Sequence, residues 1–340
     1  MIQRPPIPLL AVLLLLASWL PMTAMADTTC TATSTSLAFG ATSGGSDAVT
    51  SGSVTVDCTS IGLNLVAVAK IRMCLHIGAG SAGSGTLPRR MQNAQGDPLD
   101  FQIYRDAART QIWGSSNTPA TPTPVQRDLQ YPIPLIGASG STGPISMYGR
   151  LPAQPGLAAG DYTSEFSGAD ARVDYRYAEG SAIIFPPGFP GSCTSGGNGG
   201  GSINFNFTAR ATVPGHCTIT AAENLDFGTV PGLIDSNHDQ TSSITMTCTG
   251  RTAWSMALDN GQNATGDVRR MRLDAGGTYV DYELYRNAAR SQRWGSNAGE
   301  TLLGTGTGTT QTLTVHGRVP AGQAIPAGAY RDVVTVTVTY

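Results

Sequence analysis

Six cysteines are the residues of this 340-residue sequence with the clearest chemistry. They are Cys30, Cys58, Cys74, Cys193, Cys217 and Cys248. Cysteines can serve as nucleophiles, metal ligands or disulfides. An even number of them behind a secretory leader, described below, favours disulfides formed in an oxidising compartment. The spacing of six cysteines does not define how they pair.

Other residue types that support catalysis are scattered along the chain. The histidines are His76, His216, His238 and His316. None lies at metal-ligand spacing to another His or to Cys, and no pair of carboxylates stands out for acid–base chemistry. Residues 78–83 match G-x-G-x-x-G, but Ser and Gly follow rather than a helix, and no βαβ unit surrounds them. The sequence therefore predicts no enzyme, no metal and no cofactor.

Residues 1–26 have the features of a secretory signal peptide. Arg4 supplies the positive start, Leu9–Leu20 the apolar core, and Ala24-Met25-Ala26 the cleavage site. The apolar core is too short to span a membrane. We expect the mature chain to begin near Asp27.

Composition favours an all-β protein with many turns. Only 13% of residues are charged, Gly numbers 42 and Pro 21, and Lys70 is the one lysine of the sequence. No segment has helical periodicity with caps, whereas Thr, Val, Ser and Gly dominate. The net charge of -2, with no basic stripe, argues against nucleic acid as a partner.

The sequence contains two copies of one unit. Tyr104–Ser115 and Tyr285–Ser296 are identical at nine of twelve positions. Three further blocks recur in the same order: Arg89-Arg90-Met91 as Arg269-Arg270-Met271, Gly149-Arg150-Leu151-Pro152 as Gly317-Arg318-Val319-Pro320, and Leu37-Ala38-Phe39-Gly40 as Leu225-Asp226-Phe227-Gly228. We therefore predict two tandem domains, residues 27–213 and 214–340.

The repeat also predicts the disulfide pairing. Cys30–Cys58 and Cys217–Cys248 occupy the same place in each copy, so each is expected to join the first two strands of its domain. Cys74 and Cys193 have no counterparts in the second copy and pair by elimination. Each disulfide would stabilise its domain by about 2–4 kcal/mol.

Short strands separated by Gly-rich turns predict antiparallel sandwiches with Greek-key links. Examples are Ser53–Val56, Leu63–Ile71, Leu99–Tyr104 and Ile145–Arg150. The aromatic residues of the repeated Tyr104–Ser115 block alternate with polar neighbours. They are expected to serve the core and a hairpin rather than a ligand site.

Two alternating strands suggest how the domains are completed. In Ser202–Val213, Ile203, Phe205 and Phe207 share one face, and this strand is expected to complete the first domain. In Arg331–Tyr340 one face carries Val334, Val336, Val338 and Tyr340. The second copy has no counterpart of Ser202–Val213. Its apolar edge is therefore expected to be covered by a strand from another chain.

Two Pro-rich apolar segments, Tyr131–Ile136 and Ile183–Gly191, are candidates for binding. Proline excludes a segment from a sheet interior, and exposed apolar loops commonly mark interaction sites. The candidate residues are Tyr131, Ile133, Leu135, Ile136, Ile183, Ile184, Phe185 and Phe189. The alternative is that these residues fold over the ends of the sandwich core.

The motifs resemble those of the spore coat protein U domain family. The resemblance lies in Cys74-Leu75-His76-Ile77-Gly78, the two Arg-Arg-Met blocks, the two Tyr-Arg-x-Ala-Ala-Arg-x-x-x-Trp-Gly blocks and the final Val/Thr strand. This family includes subunits of archaic (Csu-type) chaperone–usher pili. The resemblance implies incomplete immunoglobulin-like domains, a periplasmic chaperone, an outer-membrane usher and a donor strand from the next pilin subunit. It also implies export through the periplasm to the cell surface.

Within that family the chain is similar to two-domain tip adhesins. Only Asp27–Thr29 would precede Cys30 in the mature chain, which is too short for a donor arm. Such a subunit accepts a strand but gives none, which places it at a fibre end. The resemblance then implies that the hydrophobic loops bind abiotic or hydrophobic surfaces and support biofilm formation, with the mostly Gly and Ser loop Gly78–Leu87 as a minor addition. The alternatives are a coat or pilus-shaft subunit and a secreted carbohydrate-binding module.

Overall fold

The structure is a computed structural model that describes residues 27–61, 66–83, 85–183, 185–230 and 232–340. The expected signal peptide and the candidate residue Ile184 lie outside the described residues. Within them the one helix is a 3₁₀ turn, Gly168–Asp170. No helix of the described residues is long and apolar enough to cross a membrane.

Strands build the described part of the first copy. They are β1 (Asp27–Ser34), β2 (Leu37–Ala41), β3 (Ala48–Ile61), β4 (Ala67–Ile77), β5 (Arg89–Gln92), β6 (Pro98–Tyr104), β7 (Val125–Ile133), β8 (Gly137–Ser141), β9 (Ile145–Leu151), β10 (Gly160–Phe166), β11 (Ala171–Ser181), β12 (Gly199–Asn204) and β13 (Phe207–Val213). One sheet has the order β1-β3-β9-β6-β5-β10-β13-β2, with β8 also pairing with β3. The second sheet has the order β12-β11-β4-β7. Alternate residues of both sheets face one shared core, as expected for strands with one buried face.

The second copy repeats this plan with fewer strands. They are β14 (Cys217–Ala222), β15 (Leu233–Ile234), β16 (His238–Cys248), β17 (Ala253–Leu258), β18 (Arg269–Leu273), β19 (Tyr279–Tyr285), β20 (Leu302–Thr305), β21 (Thr310–Val319), β22 (Gln323–Ala324), β23 (Tyr330–Arg331) and β24 (Val336–Thr339). The main sheet is β14-β16-β21-β19-β18-β23, facing β20-β17-β24, and β15 pairs with β22. A second, separate core forms between these sheets. The prediction of an all-β chain with two tandem immunoglobulin-like sandwiches is confirmed.

Three disulfides join the cysteines as the repeat predicted. Cys30–Cys58 links β1 to β3, and Cys217–Cys248 links β14 to β16 at the matching place. Cys74–Cys193 ties β4 to the segment that follows β11. No described cysteine is left free.

The stretch Ser202–Val213 is two strands rather than the single strand we expected. Its first part belongs to β12, which pairs with β11, and its second part is β13, which pairs with β10 and β2. The chain changes sheet at Phe205 and Asn206, where Phe205 is buried between the sheets and Ile203 is half-buried. Phe207 stacks on Phe166 with ring centroids 4.4 Å apart.

The C-terminal stretch Arg331–Tyr340 is also divided between sheets. Arg331 ends β23 in the main sheet, and β24 begins at Val336 in the facing sheet. The predicted alternation is present, since Val334, Val336 and Val338 are half-buried against the core. Tyr340 is different, because it is 54% exposed and its hydroxyl lies 3.0 Å from His216 Nδ1.

A fully buried arginine holds each core together. Arg89 donates to the backbone carbonyls of Ile77 (2.8 Å), Gly78 (2.7 Å) and Trp113 (2.7 Å), and to the side chain of Gln102. A buried charge is tolerated when its donors are satisfied in this way. Burial still lowers the pKa of Arg89 to about 9.

The second copy keeps this arrangement and adds a charge partner. Arg269 donates to the carbonyls of Leu258 (2.9 Å), Asp259 (2.7 Å) and Trp294 (2.8 Å), and it pairs with Glu283 where the first copy has Gln102. Burial lowers the pKa of Arg269, and the Glu283 carboxylate opposes that shift. Trp113 and Trp294 are both fully buried, as expected from the repeated block.

We expect Arg89→Met to destabilise the first domain by about 3 kcal/mol or more, because three buried carbonyls and an amide lose their donor. The matched control is Arg90→Met. Arg90 is the next residue and pairs with Asp100 at the surface, so its replacement should cost far less. Calorimetric unfolding of the two variants measures the difference, and equal losses would contradict the structural role of Arg89.

Candidate functional site: an open groove and an exposed apolar end

The first domain shows how a sandwich of this type is closed. Its strand β13 lies between β10 and β2, antiparallel to β10 and parallel to β2. Thus Ala211 faces Tyr162 on one side, and Ala209 pairs with Leu37 on the other. Both neighbours thus pair with β13 along the edges that face it, and β13 covers the core beneath.

The second domain has the two neighbours without the strand between them. By the repeat and its strand pairing, β23 corresponds to β10, and Leu225–Gly228 corresponds to β2. Within residues 214–230 and 232–340, the described part of this domain, no strand pairs with Leu225–Gly228 or with the outer side of β23. We call the space between them the open groove.

Matched residues differ in burial because of this gap. In the first domain Leu37 is fully buried and Phe39 is 8% exposed, whereas Leu225 and Phe227 are only half-buried. Leu225 and Phe227 therefore keep contact with solvent in the second domain.

The segment on the other side of the groove, β23 and the residues that follow it, shows the same contrast in burial. Tyr162 and Phe166 are buried in β10, whereas Tyr330 and Val334 are half-buried. In the facing sheet, β11 is covered by β12, but β24 is an edge strand. A largely apolar cleft between two unpaired backbone segments has the geometry suited to strand addition from another chain.

Six large apolar side chains are exposed at one end of the first domain. They are Ile61, Val66, Leu135, Ile136, Ile183 and Phe185, and we call them the distal patch. Phe185 is 83% exposed and Ile136 75% exposed, which is unusual for side chains of this size. Clusters of exposed apolar residues mark interaction sites.

Strand register brings these residues together from three connections. Ile61 at the end of β3 pairs with Gly137, directly after Leu135 and Ile136. Ala67 at the start of β4 pairs with Ser181 at the end of β11. The amide of Ala182 also donates to the carbonyl of Val66 at 2.9 Å, which holds the third connection against the first.

The distal patch lies at the end of the first domain away from the second. Strand β3 runs from Ala48, which pairs with Leu151, to Ile61 in the patch. At the Ala48 end, the segment after β9 reaches the second domain, where the Ala159 amide donates to Gly250 at 2.8 Å. The 14 residues of β3 separate these ends by roughly 40 Å.

The expectation that Tyr131 and Ile133 are exposed binding residues is wrong. Tyr131 is 5% and Ile133 1% exposed, because both lie in strand β7 and face the core. Tyr131 is held there by a 2.8 Å hydrogen bond between its hydroxyl and Ser60. Pro132 is tolerated because β7 is the last strand of its sheet order, where a missing amide proton can be accommodated.

Phe189 and the loop Gly78–Leu87 also lie elsewhere. Phe189 is half-buried, with Lys70 Nζ 5.3 Å and Arg72 5.8 Å from its ring centroid, on the outer face of the β4 sheet. Gly78 follows Ile77, the end of β4 opposite the patch. Neither contributes to the distal patch as we expected.

A polar cluster surrounds the buried side chain of His76. Its Nδ1 accepts the amide proton of Ser116 at 3.2 Å, and its Nε2 lies 3.3 Å from Asp174. Burial lowers the pKa of His76, although the Asp174 carboxylate opposes this. The hydroxyls of Ser116 (3.3 Å) and Ser115 (3.5 Å) also lie within reach of Nδ1, so the ring joins the turn at Ser115 and Ser116 to β4.

The profile of the Spore Coat Protein U domain matches residues 17–167 and 203–337. The chain belongs to the Spore Coat Protein U domain family. Protein U of Myxococcus xanthus is 34% identical over 177 residues, which cover 48% of this chain and 93% of that protein.

Two solved structures similar to this chain are of tip adhesion subunits. The CsuC–CsuE chaperone-tip adhesion subunit pre-assembly complex of Acinetobacter baumannii archaic Csu pili matches at 19% identity with a TM-score of 0.44, over 92% of this chain and 100% of that one. The CupB6 tip adhesin of Pseudomonas aeruginosa matches at 13% identity with a TM-score of 0.34, over 94% and 96%. At this level of similarity neither structure assigns a role to a residue of this chain.

Two residues of the distal patch, Ile61 and Val66, are not among the candidates predicted from the sequence. Ile61 and Val66 bound the connection between β3 and β4, whose middle lies outside the described residues. The apolar stretch 61–66, IGLNLV, is the sequence signal for this part of the patch, although the sequence predicts that part of it belongs to a strand Leu63–Ile71. The described strand begins at Ala67.

We expect the open groove to be visible in amide hydrogen exchange. Amides of Asp226–Gly228 should exchange about tenfold or more faster than those of Ala38–Gly40, because β13 pairs only with the second set. Exchange measured by mass spectrometry on the full chain compares the two copies within one sample. Equal protection of both segments would contradict an open groove.

Proposed function

We propose that this chain is a pilus-tip adhesin. Its first domain, residues 27–213, binds abiotic or hydrophobic surfaces through the distal patch and thereby supports biofilm formation. Its second domain, residues 214–340, accepts a donor strand in the open groove and so joins the fibre. A periplasmic chaperone would hold the groove before assembly, an outer-membrane usher would export the chain, and the donor strand would come from the adjoining pilin subunit.

One observation carries this proposal: the exposed apolar residues of the first domain lie at the end away from the second domain, which contains the open groove. A subunit fixed through its second domain would then present the distal patch outward. Asp27–Thr29 of β1 pair with Ile61–Thr59 of β3, so these residues form part of the first sandwich and do not serve as a free donor arm.

The chemistry of the distal patch favours an apolar surface over a sugar. The three connections, residues 61–66, 134–136 and 182–190, contain no Asp, Glu, Lys, Arg or His. Carbohydrate sites depend on precisely placed polar groups in a concave pocket. A coat or shaft subunit would use the groove but would give no role to a distal apolar cluster.

We expect the triple variant Ile136→Ser, Ile183→Ser and Phe185→Ser to lose attachment to polystyrene by about tenfold or more, because three exposed apolar side chains no longer contact the surface. Retention of purified protein on polystyrene beads measures this directly. Biofilm mass of cells that display the variant measures it in the assembled fibre.

The matched control replaces exposed apolar residues elsewhere in the first domain. Val49 is 58% and Leu87 56% exposed, and neither belongs to the distal patch. The variant Val49→Ser with Leu87→Ser should attach as the unmodified chain does. Equal attachment of the triple variant and this control would show that the patch is not the binding surface.

Salt provides an independent test, because the patch connections carry no charge. Attachment should be unchanged or stronger when NaCl is raised to about 1 M, since salt screens charge interactions and leaves apolar contacts intact. A steep loss of attachment over this range would assign binding to charged residues instead.

A further inference from the structure

The floor of the open groove contains a carboxylate. Asp332 follows β23, and its side chain is half-buried on the inward face between Tyr330 and Val334. Its Oδ1 accepts protons from the backbone amide (3.1 Å) and the side-chain amide (3.0 Å) of Asn263. Its Oδ2 accepts the hydroxyl proton of Tyr282 at 2.7 Å.

All three donors to Asp332 are neutral. No ion pair of the described residues includes Asp332. Burial, together with the hydrogen bond to Asp332, raises the pKa of Tyr282, so the phenol remains a donor. Gly261 allows the carboxylate to sit close to the backbone, because a Cβ there would lie 1.9 Å from Oδ2. Two carboxylate oxygens offer about four acceptor positions, so one remains for a further donor.

The first domain has no such carboxylate at the matching position. Strand register places Ser164 where the second copy has Asp332, and Phe101 where it has Tyr282. In the first domain the strand that fills this place, β13, puts Ala209 directly opposite Ser164. Ala209 is fully buried, and the hydroxyl of Ser164 finds no partner among the described residues.

The pattern of β13 shows what each position of the groove can take. Phe207 stacks on Phe166, whose counterpart Val334 is smaller and leaves room for a bulky apolar side chain. Ala211 faces Tyr162, and the second copy keeps a tyrosine there, Tyr330. The groove therefore differs most from the first domain at the position facing Asp332.

An apolar residue over Asp332 would be unfavourable. It would remove the carboxylate from solvent and supply no hydrogen bond, and burying a charge without compensation is costly. A Ser or Thr hydroxyl would instead donate to the free acceptor position. Hydrogen bonds to charged groups are the stronger ones.

We propose that the occupant of the open groove is an extended segment of another chain that carries Ser or Thr at the position facing Asp332. Two residues before it the segment carries a bulky apolar residue, which faces Val334. Two residues after it the segment carries a small residue, which faces Tyr330. This inference rests on the proposed strand acceptance and adds the sequence that the groove selects.

The test uses four labelled peptides that copy residues 203–213, INFNFTARATV, with Ala, Ser, Thr or Leu at the position of Ala209. Their affinity for the full mature chain is measured by fluorescence anisotropy. The Ser and Thr peptides should bind about tenfold or more tightly than the Ala peptide, as expected for a hydrogen bond to a charged acceptor. The Leu peptide should bind more weakly than the Ala peptide.

The matched variant rebuilds the first domain's floor in the second. Asp332→Ser with Tyr282→Phe reproduces Ser164 and Phe101, and it should bind the Ala peptide as well as the Ser peptide. Asp332→Asn, which keeps the size of the side chain without the charge, should reduce the Ser preference and serves if the double variant does not fold.

The outcomes separate this inference from the proposed function. If none of the four peptides binds, strand acceptance by the groove fails and this inference fails with it. If all four bind with equal affinity, strand acceptance stands and selection at Asp332 is overturned. A Ser preference that persists in the double variant would also overturn it, because the preference would then arise elsewhere.

Discussion

A strand with unpaired backbone above an apolar core has to be covered by another strand, and this requirement organises both halves of the chain. The first domain meets it from within, because β13 pairs with β10 and β2 and buries Leu37 and Tyr162. The second domain has the same walls and leaves the matching Leu225 and Tyr330 half-buried. The two copies thus show one fold in a closed and an open form, and the difference between them is the open groove.

The second domain keeps the same sandwich core without a covering strand, because hydrogen bonds elsewhere in the domain tie its strands together. In each copy a buried arginine, Arg89 or Arg269, donates hydrogen bonds to backbone carbonyls at the end of a strand. It also donates to the carbonyl of the tryptophan that both copies share, Trp113 or Trp294. The carbonyls that Arg269 binds belong to Leu258, Asp259 and Trp294, and none of these residues lies in β23 or in Leu225–Gly228. If the groove accepts a strand as proposed, a framework that is already formed would lower the entropic cost of that binding.

Much of this architecture could be predicted from the sequence, because the repeat compares two versions of each feature. It predicted the disulfides, the buried tryptophans and the absence of a covering strand in the second copy. Periodicity could not show that Ser202–Val213 changes sheet, because Phe205 fits the alternation of both parts. The prolines of Tyr131–Ile136 predicted an exposed loop, but proline is also tolerated in an edge strand, which is where Tyr131 and Ile133 lie. The distal patch depends on pairing between distant strands, such as Ile61 with Gly137, and no local pattern contains that information.

The path of β13 has a mechanical consequence. This strand pairs with β10 along its whole length, from Phe207 opposite Phe166 to Val213 opposite Gly160, and the chain continues at once into β14. Tension between the distal patch and the second domain would pull β13 along its own axis. The hydrogen bonds to β10 would then share the load in shear and would not open one after another. The strand that closes the first domain is thus also the element through which a pulling force would pass from one domain to the other.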